Sequence, residues 1–131
     1  MTKEDLKKRT KKFSSDIIIF SDILPNTRAA NVICNQMLRS ATSVGANYRA
    51  ACRTRSQADF ISKITIVEEE ADETLFWMEL LLESGIKKSN DRILSLMKET
   101  DELFAIFVSS GKTAKTNLYN NPKSKIRNPQ S

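Results

Sequence analysis

The chain has 131 residues, a formal net charge of +5 and no histidine, and 28% of its residues are charged. This length suits a single domain whose core needs no metal ion or disulfide. Only three glycines and three prolines interrupt it, which predicts long helices. The apolar stretches are too short to span a bilayer, and the basic N-terminal segment lacks the apolar run of a signal peptide. We therefore expect a cytoplasmic protein without a membrane partner.

Four amphipathic segments predict an all-α fold, an antiparallel up-and-down four-helix bundle over residues 1–116. The first helix is expected near residues 3–24 and opens with a capping box formed by Thr2 and Asp5. The second is expected near residues 27–53, where apolar residues alternate at spacings of four and three. Its predicted inward seam consists of Ala30, Cys34, Met37, Ala41, Val44, Tyr48 and Ala51.

The third helix is expected near residues 57–84, capped by Ser56 and ended by Gly85. The fourth is expected near residues 90–115, and its predicted inward residues are Ile93, Leu96, Thr100, Leu103 and Phe107. Residues 117–131 are polar, basic and poor in apolar side chains, so we expect a disordered tail there.

A polar layer is predicted between the second and third helices. A short antiparallel connection places Ser40 level with Glu70 and Met37 level with Glu73, so Arg39 falls beside both carboxylates. A cation that is partly buried between helices is stabilised when carboxylates face it, which favours a structural role over a catalytic one. The residues of the predicted layer are Arg39, Ser43, Asn47, Glu70 and Glu73.

No catalytic or metal-binding pattern is present. Cys34 and Cys52 lie about five turns apart on one predicted helix, too far to bridge, and without histidine they have no partner base. Carboxylates such as Glu69, Glu70 and Glu73 hold metals in helix bundles together with a Glu-x-x-His motif, which is absent. We therefore predict no catalytic residue, no metal, no cofactor and no enzymatic activity.

The third helix carries a second apolar face formed by Ile66, Trp77 and Leu80. One interpretation is a wide stripe facing the core. The other is an interface between subunits, because tryptophan is favoured at the buried centre of such contacts. The apolar pattern is compatible with both.

Charge is unevenly distributed along the chain. Residues 23–58 contain five arginines and no acid, whereas residues 59–83 contain eight acids and one lysine. Further basic residues crowd positions 3–12 and the C-terminal segment. Arginines close together at the end of the second helix suit phosphate groups and carry no pattern for reading bases. The predicted nucleic-acid-binding residues are Arg49, Arg53 and Arg55.

The segments "QMLRSATSVGANYRAACRTRSQADFISKI" and "EEADETLFWMELL" resemble a four-helix bundle family. That family includes the proteins encoded in intervening sequences of bacterial 23S ribosomal RNA genes, and the accessory variability protein of diversity-generating retroelements is similar to them. The resemblance implies a ring-shaped homopentamer without known enzymatic activity. In the retroelement relative, a basic surface is associated with nucleic acid and with a reverse transcriptase. The residues that match the two motifs, as fold or assembly residues, are Arg39, Ser40, Ser43, Asn47, Glu70, Ala71, Glu73, Thr74 and Trp77.

Two hypotheses about function follow. The first is a noncatalytic oligomer that associates with RNA or DNA through its basic surface. The second is an oligomeric scaffold that binds another protein, such as a reverse transcriptase, and whose charges serve solubility.

Overall fold

The computed structural model describes residues 1–87 and 90–120. These residues form four α-helices and no strand, which confirms the predicted all-α class. The helices are α1 (Lys3–Ser21), α2 (Arg28–Ala51), α3 (Gln57–Glu83) and α4 (Asp91–Asn120). Each helix packs against the next one in the chain, and the contact between α1 and α4 is weaker than those between consecutive helices. Short connections between long neighbouring helices give the predicted four-helix bundle.

Local capping explains where the helices begin and end. The Thr2 hydroxyl accepts from the Asp5 N–H at 3.0 Å, and the Asp5 carboxylate accepts from the Thr2 N–H at 3.0 Å, so the predicted capping box is present. Ser56 caps α3 by accepting from the Asp59 N–H at 3.0 Å. Gly85 follows α3 with a φ of 76°, a left-handed conformation that glycine adopts at little cost.

The fourth helix is longer than predicted. It continues to Asn120 rather than ending at residue 115, because Gly111 and Ala114 are buried and extend its inward stripe beyond Phe107. Residues 117–120, which we expected in the tail, are therefore helical. The rest of the predicted tail lies outside the described residues, and its disorder stays a prediction.

The core lies along the inward stripes of all four helices. All five predicted inward residues of α4 are buried, and so are Ile64, Val67, Ala71, Thr74, Met78 and Leu81 of α3. The stripe of α2 differs from the prediction at one position, where Ile33 is buried and Cys34 only half-buried. Either residue follows Ala30 by about one turn, and the larger apolar side chain takes the inward place. Cys34 and Cys52 are free thiols.

Among residues 1–87 and 90–120, none of the helices combines the length and the apolar character of a membrane span.

Two leucines of α4 allow the packing of the core to be tested. Leu103 is 0% exposed and Leu94 is 47% exposed. We expect Leu103→Ala to lower the free energy of unfolding by about 2–5 kcal/mol, because it leaves a cavity. Leu94→Ala should change it by at most about 0.5 kcal/mol. Urea unfolding of both variants measures these values, and equal losses would contradict the described burial.

Candidate nucleic-acid interface

Small residues of α2 allow α1 to approach it closely. A Cβ atom placed on Gly45 would lie 2.9 Å from the Ser14 Oγ and 3.4 Å from the Thr10 carbonyl oxygen. The Ser14 hydroxyl donates to the Ala41 carbonyl oxygen at 2.8 Å. These contacts place Ser14 level with Ala41 and Thr10 level with Gly45, which sets the antiparallel register of α1 and α2.

Beside this contact, α1 and α2 form a groove of about 350 Å³, here called the basic groove. Five of its lining residues are cationic and none is acidic. Long cationic side chains form its walls, and small residues at its base leave space between them. The lining residues are Lys7, Lys8, Lys11, Ser14, Thr42, Gly45, Ala46, Arg49 and Arg53.

Most cations of the basic groove have no ion-pair partner among the described residues. Lys7 pairs with Glu4 at 2.7 Å, and Glu4 also acts on Lys8 at longer range. Within the described ranges, no carboxylate lies within ion-pair distance of the remaining four, Lys8, Lys11, Arg49 and Arg53.

Three arginines elsewhere in the bundle, Arg9, Arg39 and Arg92, are paired. The Arg9 guanidinium donates to both oxygens of Glu99, at 2.8 and 2.6 Å. Arg92 lies 3.7 Å from Asp16, and Arg39 faces two carboxylates of α3. The fold therefore neutralises these three arginines, whereas Arg49 and Arg53 of the basic groove have no carboxylate partner in the described part of the chain.

The structure separates the three arginines that the sequence groups together. Arg49 and Arg53 line the basic groove, whereas Arg55 lines a second cavity of about 540 Å³ at the end of the bundle. Tyr48, which is near them in sequence, is buried and packs 5.9 Å from the ring of Phe107. Burial raises the pKa of Tyr48.

Sequence reasoning did not assign Lys7, Lys8 and Lys11 to the same site as Arg49 and Arg53. Both the start of α1 and the end of α2 are basic in the sequence. In any pair of consecutive antiparallel helices these two ends lie side by side, and this juxtaposition identifies the three lysines. The run of small residues in α2 shows where the two helices approach each other.

The predicted contact between α2 and α3 is present. Arg39 lies 3.3 Å from the Glu70 carboxylate and also contacts Glu73. The Trp77 indole N–H donates to the same Glu73 oxygen at 3.0 Å. The hydrogen bond from Trp77, followed by the one from Arg39, lowers the pKa of Glu73.

The other members of the predicted polar layer contact each other within α2. The Asn47 side-chain amide donates to the Ser43 hydroxyl at 2.8 Å, and no contact between this pair and Arg39 is described. A polar contact that sequence reasoning did not predict connects the two helices instead. The buried Thr74 hydroxyl donates to the Ser40 hydroxyl at 2.8 Å.

The carboxylates of α3 do not gather around a common point. Arg39 engages two of them, and Glu68 faces α4, where a Cβ on Gly111 would lie 2.8 Å from its Oε1. Burial raises the pKa of Glu68. In the described part of the chain, no three Cys, Asp or Glu side chains lie close enough together to hold a metal ion.

The residues predicted for a subunit interface on α3 differ in their exposure. Ile66 is 38% exposed, and Trp77 and Leu80 are half-buried against the core. Sequence reasoning missed Phe76, which is 51% exposed and meets the Trp77 ring edge-to-face at 4.9 Å. A role of this apolar surface in assembly stays a prediction.

Comparison with known proteins agrees with the resemblance in the sequence. The family model of the 23S rRNA-intervening sequence proteins matches residues 2–109. The chain belongs to this family. This chain is similar to a protein of known crystal structure from Bacteroides thetaiotaomicron. That protein has unknown function and comes from the S23 ribosomal protein family. The two structures superpose with a TM-score of 0.74, and their sequences are 34% identical. The match covers 82% of this chain and 98% of the other. No curated protein matches.

The Arg39 ion pairs of this 23S rRNA-intervening sequence protein lead to a pH-dependent prediction. Arg39→Gln leaves Glu70 and Glu73 without their cation. Because the Arg39 side chain is 50% exposed, we expect the free energy of unfolding at neutral pH to fall by only about 0.2–1 kcal/mol.

The sign of the pH effect follows from the lowered pKa of Glu73. Its stabilising contribution is present above the ordinary carboxyl pKa and is lost as the pH falls through its folded value. The difference between wild type and Arg39→Gln should therefore shrink in acid. Urea unfolding at neutral and acidic pH measures it, with Arg55→Gln as a control. A difference that stays constant would argue against the ion pairs.

Proposed function

We propose that this member of the family is a noncatalytic oligomer that associates with nucleic acid through a basic surface. The observation that carries the proposal is an excess of cations that have no ion-pair partner among the described residues, of which the basic groove holds four. Lysine and arginine side chains release condensed counterions when they neutralise phosphates, and this release drives binding. Arginine adds a planar set of donors that matches phosphate oxygens.

Binding of this kind positions a nucleic acid without reading its sequence. The residues of the basic groove include none of the asparagine, glutamine or acidic side chains that pair with adenine and cytosine edges, and its cations are suited to phosphates. We therefore expect RNA and DNA of different sequences to bind with similar affinity. The family's name associates it with 23S rRNA genes, which is compatible with an RNA ligand.

Assembly is the second part of the proposal. We infer that the exposed apolar surface around Ile66 and Phe76 is buried in a contact between subunits. The family resemblance favours a homopentamer. An oligomer repeats the basic groove around its symmetry axis, so that several weak contacts act on one nucleic-acid chain. A modest net charge per subunit is then sufficient for useful affinity.

Association with nucleic acid is tested by titrating labelled RNA and DNA oligonucleotides at several salt concentrations. We expect binding by the intact protein that is insensitive to base sequence and falls steeply with salt. A variant with Arg49, Arg53 and Arg55 changed to Ala should bind more weakly. A chain truncated after Asn120 serves as the control for the C-terminal basic residues. No binding by the intact protein at low salt would favour the scaffold hypothesis.

Assembly is tested by light scattering. The subunit mass is 14.8 kDa, and we expect a multiple of it at micromolar concentration. Ile66→Asp should lower the observed mass because it places a charge in the proposed contact. Ile19→Asp, at a position on α1 that is 60% exposed, is the matched control. A monomeric wild-type protein would rule out a stable ring.

A further inference from the structure

We propose that the basic groove holds the sugar–phosphate backbone of a nucleic acid lengthwise between α1 and α2, and that Lys8, Lys11, Arg49 and Arg53 contact its phosphates. This assignment rests on the proposed function. It adds the location of the site, the part of the ligand that is recognised and the contribution of the N-terminal helix.

The pattern of ion pairs distinguishes these four cations from their neighbours. On α1, Lys7 is paired with Glu4 and Lys12 with Asp16, each at 2.7 Å. Among the described residues, Lys8 and Lys11 line the groove without such a partner. Like charges on facing walls repel each other, and a polyanion between them removes that repulsion.

The register of the helices arranges the cations in a row. Ser14 lies level with Ala41, and continuing this register places Lys11 level with Val44 and Lys8 level with Asn47. Arg49 follows farther along α2, and Arg53 lies just beyond the end of that helix. From the level of Lys11 to Arg49 the cations extend over about 8 Å along the groove, at roughly 1.5 Å per residue, and Arg53 extends the row further. A ligand with several negative charges in a row fits this spacing better than a single phosphate.

The floor of the groove favours contact with the sugar–phosphate backbone of the ligand over contact with its nucleobases. The Ser14 hydroxyl donates to the Ala41 carbonyl oxygen, and the Thr42 hydroxyl donates to the Leu38 carbonyl oxygen at 2.7 Å. Both hydroxyls are thus engaged within the protein and are not free donors for base edges. Gly45 adds no side chain to the groove, and no aromatic residue lines it for base stacking.

A substitution at Ala46 tests the groove without removing a cation. Ala46 lines the groove and is exposed, so Ala46→Glu should place a carboxylate among the four cations while α2 stays intact. We expect it to weaken binding of a fluorescein-labelled oligonucleotide by about tenfold or more at low salt. Ala46→Gln controls for size, and Ala105→Glu adds the same charge to the exposed face of α4. Both controls should stay within about threefold of wild type.

The salt dependence of binding identifies the cations themselves. Lys8→Ala combined with Arg49→Ala should reduce the slope of log K against log salt by about two, because each phosphate contact contributes roughly one. Arg55→Ala, outside the groove, should leave the slope unchanged. Circular dichroism and thermal unfolding check that each variant folds. If Ala46→Glu does not fold, the double variant provides the test.

The outcomes separate this inference from the proposed function. If the intact protein binds oligonucleotides but Ala46→Glu matches Ala105→Glu and the slope of the double variant is unchanged, the groove is overturned while the proposed function stands. No binding by the intact protein overturns both. Inorganic phosphate at an equal phosphate concentration should displace the oligonucleotide poorly, since one anion engages only part of the row. Equal displacement would overturn the assignment to a polymer backbone.

Discussion

The close contact between α1 and α2 is the constraint on which the surfaces of this bundle depend. Gly45 leaves no room for a side chain beside Ser14, and the Ser14 hydroxyl is bound to the α2 backbone. This contact sets which residues of the two helices lie level, and so brings the lysines of α1 beside Arg49 and Arg53. On its other side, α2 meets α3 through the contact between Ser40 and Thr74.

The distribution of charge over the surface follows from this arrangement of helices. The acid-rich α3 is held to α2 by Arg39, and ion pairs between α1 and α4 support their weaker contact. Some of the positive charge without an ion pair among the described residues lies together at the start of α1 and the end of α2. One chain therefore presents a basic groove on one side and an acidic helix with exposed apolar residues on another, which suits an oligomer that binds a polyanion.

Much of the fold was predictable because its determinants are local. The caps at Thr2 and Ser56 depend on residues three positions apart, and a short connection fixes the level of Arg39 against α3. The end of α4 was not predictable, since the burial of Gly111 comes from its contact with Glu68 of α3. The basic groove was missed because it joins residues far apart in the chain. An error of one residue in the register of two helices turns the expected direction of a side chain by about 100°. Arg55, which was grouped with Arg49 and Arg53, lies beyond the end of α2.

The most direct test of the account is an NMR titration of the isotopically labelled protein with an oligonucleotide. The ligand should shift backbone amide resonances that form two sets, one in residues 7–14 of α1 and one in residues 42–53, at the end of α2 and just beyond it. Resonances of the outward face of α3 should stay in place apart from small uniform effects. Shifts concentrated in α3, or in residues 112–120 of α4 alone, would contradict the assignment of nucleic-acid binding to the basic groove.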